Sequence, residues 1–143
     1  MKVLGINHLG IAAKDPEKAN WFFNEVLKLP FHGDELVAEQ KTMTSMFASG
    51  HDAPQAKTRI ELLENQKGES GPIAGYLEKK GGGIHHIALQ VADVKEAIAY
   101  MKDKGVQMVD ETPRAGAHQT QIAFVHPKST GGILVEFVEE TKA

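Results

Sequence analysis

Cysteine is absent from this 143-residue sequence, and aromatic residues make up only 6% of it. The missing cysteines exclude disulfides, thiolate metal ligands and a cysteine nucleophile. The sequence also lacks a continuous apolar run of the length that a membrane span or a secretory signal needs. Its 16 basic and 19 acidic residues give a net charge of −3 and form no basic cluster. We therefore expect a cytoplasmic protein that binds neither nucleic acid nor a membrane surface.

An internal repeat is the most informative feature that is present. The pattern at 6–13 recurs at 84–91, and His8 and His86 occupy equivalent positions 78 residues apart. In both copies the residues alternate between apolar and small or polar, which is typical of a half-buried strand. A chain of this length forms about one domain, so the two copies are predicted to be halves of a single domain.

A second repeated pair follows late in each half. Glu61 lies between Ile60 and Leu62, and Glu136 lies between Val135 and Phe137, 75 residues further on. Each half therefore offers one histidine on an early strand and one glutamate on a late strand.

The coarse secondary structure follows the same duplication. Module one covers about 5–66, a connector helix about 70–82, and module two about 83–139. Each module reads as a strand, a helix and about three further strands, because period-2 stretches flank one helical pattern. The pattern predicts an α+β fold in which two tandem βαβββ modules form a curved sheet around a central metal cavity, with the helices outside.

Helix boundaries can be predicted in both modules. Asp15 and Asp93, again 78 residues apart, are typical N-cap residues, and Pro16 suits the first turn. Gly105 is expected to end the second helix in the left-handed conformation. The first helix is predicted to bury an apolar stripe made of Ala19, Phe22, Phe23, Val26 and Leu27.

Strand alternation assigns the histidines to faces. His8 shares its face with the small residues Gly10 and Ala12. His85 and His86 are adjacent, so they point to opposite faces, and we expect His85 to serve in packing or in supporting a metal ligand rather than as a ligand itself.

Buried glutamates need a counterpart. A carboxylate within an apolar strand is costly to desolvate unless a cation or hydrogen bonds compensate for it. Two imidazoles and two carboxylates suit a divalent ion such as cobalt, nickel, manganese or zinc, and an octahedral ion would keep two positions for substrate oxygens. The same residues are also compatible with hydrogen-bonded structural roles, and the repeat alone does not separate the two interpretations.

A family resemblance favours the metal. The repeated halves with their His, Glu, His, Glu order resemble the vicinal oxygen chelate superfamily. The amino-acid sequences of several motifs are similar to those of the methylmalonyl-CoA epimerase family. These motifs lie at 6–12, 58–64, 72–77, 83–88, 116–118, 123–129 and 132–136. The resemblance implies a divalent metal bound by four residues and an acyl-CoA substrate, and it makes a homodimer possible. The implied ligands are His8, Glu61, His86 and Glu136.

The implied reaction is epimerisation of methylmalonyl-CoA, in which the α-proton leaves and returns through a metal-stabilised enolate. Glu136 is the candidate for one catalytic base. At least one relative has a second catalytic glutamate at the position that aligns with Thr44, and residues 41–50 contain no carboxylate. The second base is therefore unassigned. Arg114, Lys128 and Ser129 are candidate contacts for coenzyme A phosphates.

Rival functions follow from the same resemblance. Glyoxalase I (lactoylglutathione lyase) uses a similar quartet on a glutathione adduct. An extradiol dioxygenase needs two histidines and one carboxylate, which would leave one matched residue without a role. A metal-free drug-sequestering protein of the same fold would have apolar or small residues at the four positions, contrary to this sequence.

Overall fold

The computed structural model describes residues 1–51 and 57–140. The predicted loop at 50–55 therefore lies mostly outside the described residues. Each half has the order strand, helix, three strands, and α2 separates the halves. The helices are α1 (Pro16–Asn20), α2 (Pro72–Lys80) and α3 (Val94–Asp103). The strands are β1 (Val3–Ala12), β2 (Phe31–Val37), β3 (Thr42–Ala48), β4 (Arg59–Asn65), β5 (Gly83–Val91), β6 (Arg114–Ala115), β7 (Thr120–Val125) and β8 (Val135–Glu140).

The strands hydrogen-bond in the order β2-β3-β4-β1-β5-β8-β7-β6. β1 pairs with β4 in parallel, and β5 pairs with β8 in parallel. The chain divides into two compact units, one of residues 8–85 and one of residues 1–7 with the chain from His86 onward. Within the described part of the chain, no helix is both long and apolar enough to cross a membrane.

In the unit of residues 8–85, β4 is covered on both faces. Leu62 is buried on one face together with Leu29 and Phe47. Leu63 is buried on the other face with Ala12 and with Ile73 of α2. Adjacent strand residues point to opposite faces, so two consecutive buried leucines require a cover on each side.

In the other unit, α3 packs on β7 and β8. The Asp93 side chain accepts hydrogen bonds from the backbone N–H groups of Lys95 and Glu96, at 2.9 and 3.2 Å, and thereby caps α3 as predicted. Gly105 follows the helix with φ of +77°, the left-handed conformation predicted for it. The buried residues of this core are Val91, Val94, Ala97, Ile98, Ala123, Val125 and Phe137.

The predicted stripe on the first helix is partly wrong. The regular α-helix ends at Asn20, and the chain continues as a π-helical segment, Trp21–Val26. At the end of this segment the Leu27 N–H donates to the Phe22 carbonyl, five residues earlier. The wider turn rotates later side chains away from the positions that a 3.6-residue period assigns them. Ala19 and Phe23 pack against the core as predicted. Exposed instead of buried are Phe22, Val26 and Leu27.

The contrast between buried Phe47 and exposed Phe22 can be measured by mutation. Phe47 has no exposed surface, so Phe47→Ala should lower the free energy of unfolding by about 3–5 kcal/mol. Phe22→Ala should lower it by about 1 kcal/mol or less, because the side chain is 43% exposed. Urea denaturation of the two variants provides the comparison. Equal losses would mean that Phe22 is part of the core after all.

Candidate metal centre

Strand register brings His8 and Glu61 onto one face. In the parallel pairing of β1 and β4, Gly10 is aligned with Glu61, and His8 lies two residues earlier on the same face. The His8 Nε2 atom is 3.6 Å from Glu61 Oε1, and both side chains are buried. Gly10 has no side chain, so it leaves room on this face for the Glu61 carboxylate.

The second half repeats this arrangement. In the parallel pairing of β5 and β8, Ala88 is aligned with Glu136, and His86 lies two residues before Ala88. The His86 Nε2 atom is 3.5 Å from Glu136 Oε1, and both side chains are again buried. The two pairs therefore share their strand types, their register and the small residue opposite the glutamate.

Each of the two pairs offers ligands that could hold a metal ion. His8 and Glu61 provide an imidazole nitrogen and a carboxylate oxygen 3.6 Å apart, and His86 and Glu136 provide the same two kinds of donor 3.5 Å apart. Imidazole nitrogens with a carboxylate oxygen are ligands suited to divalent transition metals, and a bound cation would offset the cost of burying the carboxylates. The donor set therefore fits a divalent metal.

Comparison with known proteins agrees with this geometry. Residues 7–124 match the model of the Glyoxalase/Bleomycin resistance protein/Dioxygenase superfamily. The chain belongs to that superfamily. The predicted fold, with two βαβββ modules, is thereby confirmed.

Individual relatives are similar to this chain over most of its length. The uncharacterized protein YqjC of Bacillus subtilis is 38% identical over 94% of this chain and 91% of its own length. The ethylmalonyl-CoA/methylmalonyl-CoA epimerase of Cereibacter sphaeroides is 37% identical over 92% of this chain and 94% of its own. A Streptomyces coelicolor methylmalonyl-CoA epimerase variant, solved with 2-nitronate-propionyl-CoA, is 30% identical with a TM-score of 0.88, covering 99% of this chain and 100% of that one. The chain thus has methylmalonyl-CoA epimerases among its relatives in the superfamily.

Phe124 contacts His86 directly, which the sequence did not reveal. The two rings meet edge to face, with centroids 5.6 Å apart, and Phe124 is opposite Glu136 in the pairing of β7 and β8. The Phe124 backbone N–H donates to Asp110 at 2.8 Å, and Asp110 also pairs with Arg114 at 3.2 Å. The Arg114 guanidinium lies 5.6 Å from the Phe124 ring centre. These contacts restrain the ring against which His86 packs.

The burial and the hydrogen bonds of Asn7 were also not predicted from the sequence. It is buried, and its side-chain amide donates to Glu140 at 2.8 Å and to Gln90 at 3.3 Å. It fixes the backbone immediately before His8. The sequence signal was available, because an asparagine between two apolar strand residues needs hydrogen-bond partners when it is buried.

His85 has the packing role predicted for it. Its ring meets Tyr76 of α2 edge to face at 5.0 Å, and the Tyr76 hydroxyl donates to the Ile84 carbonyl at 2.9 Å. The adjacent His86 is the residue that contacts Glu136.

The adjacent histidines should therefore respond differently to mutation. We expect His86→Ala to lower bound metal by at least tenfold after saturation and dialysis, because it removes one nitrogen ligand. His85→Ala should keep the wild-type metal content, since that ring packs on Tyr76. Elemental analysis of both purified variants decides the matter. A comparable loss in both would contradict the assignment of faces on β5.

Proposed function

We propose that this protein is a metal-dependent epimerase of methylmalonyl-CoA, with His8, Glu61, His86 and Glu136 as the ligands of one divalent ion. The observation that carries the proposal is the repeated register, which places a buried histidine beside a buried glutamate in each half. Two such pairs provide four ligand side chains, and the relatives named as methylmalonyl-CoA epimerases supply the substrate class. The identity of the metal stays open among cobalt, nickel, manganese and zinc.

The chemistry follows from the residues. A bound divalent ion would act as a Lewis acid toward the thioester carbonyl and so acidify the neighbouring α-proton. Glu136 is the residue we assign to accept that proton. A carboxylate has two oxygens, so Glu136 can serve as a ligand through one oxygen and receive the proton on the other. Burial of the four side chains restricts water, which limits competing hydrolysis of the thioester.

Glyoxalase I remains the alternative enzyme, because its ligand set is similar. The named relatives favour the epimerase. The polar and charged character of the four buried positions does not favour a metal-free sequestering protein, whose binding surface would be mainly apolar. The homodimer, the cytoplasmic location and the module boundaries at 5–66, 70–82 and 83–139 stay predictions.

The shared metal site has a direct test. His8→Ala, Glu61→Ala, His86→Ala and Glu136→Ala should each lower metal content and each reduce the rise in Tm that saturating metal produces. Metal at 100 times its Kd stabilises the native state by about 2.7 kcal/mol, which is visible as a shift in Tm. Metal analysis and thermal melts with and without added metal provide the measurements. Full metal occupancy in His8→Ala with complete loss in His86→Ala would argue for a site in the second half alone.

The reaction itself can be followed by isotope exchange. Metal-loaded protein in deuterated water should interconvert the methylmalonyl-CoA epimers and place deuterium only at the α-carbon, detected by mass spectrometry. Glu136→Gln should slow this exchange by about 100-fold or more, since a general base contributes 10²–10⁴ in rate. Formation of a new thioester from the methylglyoxal-glutathione adduct, with no α-exchange on methylmalonyl-CoA, would support glyoxalase I and overturn the epimerase.

A further inference from the structure

Inversion at the α-carbon needs two proton carriers. One group removes the proton from one face of the carbon, and a second must return a proton to the opposite face. Glu136 fills one role in the proposed function, on which this inference rests. Thr44 cannot replace a carboxylate as the other carrier, because an alcohol is far too weak an acid to exchange protons readily near neutral pH.

The unit of residues 8–85 has a well-defined face that carries Glu61. In the antiparallel pairing of β3 and β4, Met46 is opposite Glu61 and Thr44 is opposite Leu63. In the pairing of β2 and β3, Glu35 is opposite Thr44. Directly paired residues point to the same side of a sheet, so Glu35 shares the face of Glu61.

Side-chain contacts on the other face agree with this assignment of β2 and β3 residues to faces. The Ser45 hydroxyl donates to the Asp34 carboxylate at 2.6 Å, as paired neighbours on one face should. The rings of Phe31 and Phe47 are in tilted contact with their centres 5.2 Å apart, also on that side. Since Asp34 and Glu35 are adjacent, the two carboxylates point to opposite faces.

A survey of the face that carries Glu61 finds one further carboxylate. Among the described residues of the four paired strands, only Glu35 and Glu61 are acidic on this side. The other residues at the paired positions of this face are His8, Gly10, Ala12, Gly33, Val37, Thr42, Thr44, Met46, Ala48, Arg59, Leu63 and Asn65. Glu61 is already proposed as a metal ligand.

Local geometry allows the Glu35 side chain to extend toward Glu61. Thr44 and Glu61 are diagonal neighbours, a spacing of about 7–8 Å, and Glu35 is directly opposite Thr44, about 5 Å further on. The Thr44 hydroxyl donates to the Glu35 carbonyl at 2.9 Å and fixes this pairing. Gly33 is the next residue of β2 on the same face, and a Cβ placed there would meet no atom within 4 Å. The space beside Glu35, in the row of Met46 and Glu61, is therefore open.

We propose that Glu35 is the second proton carrier of the epimerisation. When the Glu136 carboxylate takes the α-proton, the C–H bond breaks, an O–H bond forms, and the electron pair is delocalised into the thioester carbonyl. Protonated Glu35 then delivers its proton to the other face of the α-carbon, which restores a C–H bond and leaves Glu35 ionised. The reverse reaction exchanges the two roles, and proton exchange of both carboxyl groups with solvent water restores their starting states for another turnover in the same direction.

The test uses Glu35→Gln in the metal-loaded, full-length protein, with Asp34→Asn as the matched control on the opposite face. Each methylmalonyl-CoA epimer is supplied separately in deuterated water, and inversion and α-exchange are both recorded. Glu35→Gln should slow inversion by at least 100-fold with unchanged metal content and Tm. It should still exchange the α-proton, without inversion, in the one epimer that Glu136 deprotonates. Asp34→Asn should invert both epimers at wild-type rates.

Other outcomes separate the two proposals. Inversion by Glu35→Gln within threefold of wild type would overturn the role of Glu35 and leave the epimerase intact. Equal loss of exchange from both epimers, with a lowered Tm or metal content, would show a structural role and also overturn it. Failure of the wild-type protein to exchange either epimer would reject the proposed function itself.

Discussion

The cost of burying two glutamates within apolar strands is the constraint on which the site depends. Glu61 and Glu136 are each flanked in sequence by aliphatic or aromatic residues and are almost fully buried. A carboxylate in such a place is stable only beside a partner that compensates for lost hydration. Each glutamate has a histidine within 3.6 Å, and imidazole with carboxylate is a pairing that a divalent cation can bridge.

Parallel strand pairing gives the same arrangement of histidine and glutamate in both halves. β1 with β4 and β5 with β8 align a small residue with the glutamate, and the histidine lies two positions before that small residue on the same face. Gly10 and Ala88 are the small residues aligned with the two glutamates in these pairings. The apolar cores on the opposite faces hold these registers, since a shift by one residue would turn every ligand away from the site.

The two halves are less alike in their supporting contacts. His86 packs against Phe124, which Asp110 and Arg114 restrain. His8 follows Asn7, which hydrogen-bonds to Gln90 and Glu140. Glu35 of β2 is opposite Thr44 of β3, whereas in the other half Arg114 of β6 is opposite Ile122 of β7. The two proposed proton carriers, Glu136 and Glu35, therefore have different surroundings.

The pairing of each histidine with a glutamate, the caps at Asp15 and Asp93 and the order of elements could all be predicted from the sequence, because they depend on local spacing and on an internal repeat with nearly equal offsets. The exposure of Phe22 could not be predicted, because a π-helical segment changes the helical period and no residue type in the segment signals that change. The contacts of Phe124, Asp110 and Asn7 and the position of Glu35 beside Thr44 join residues from different strands. Their proximity depends on strand pairing and register, which only the tertiary structure decided.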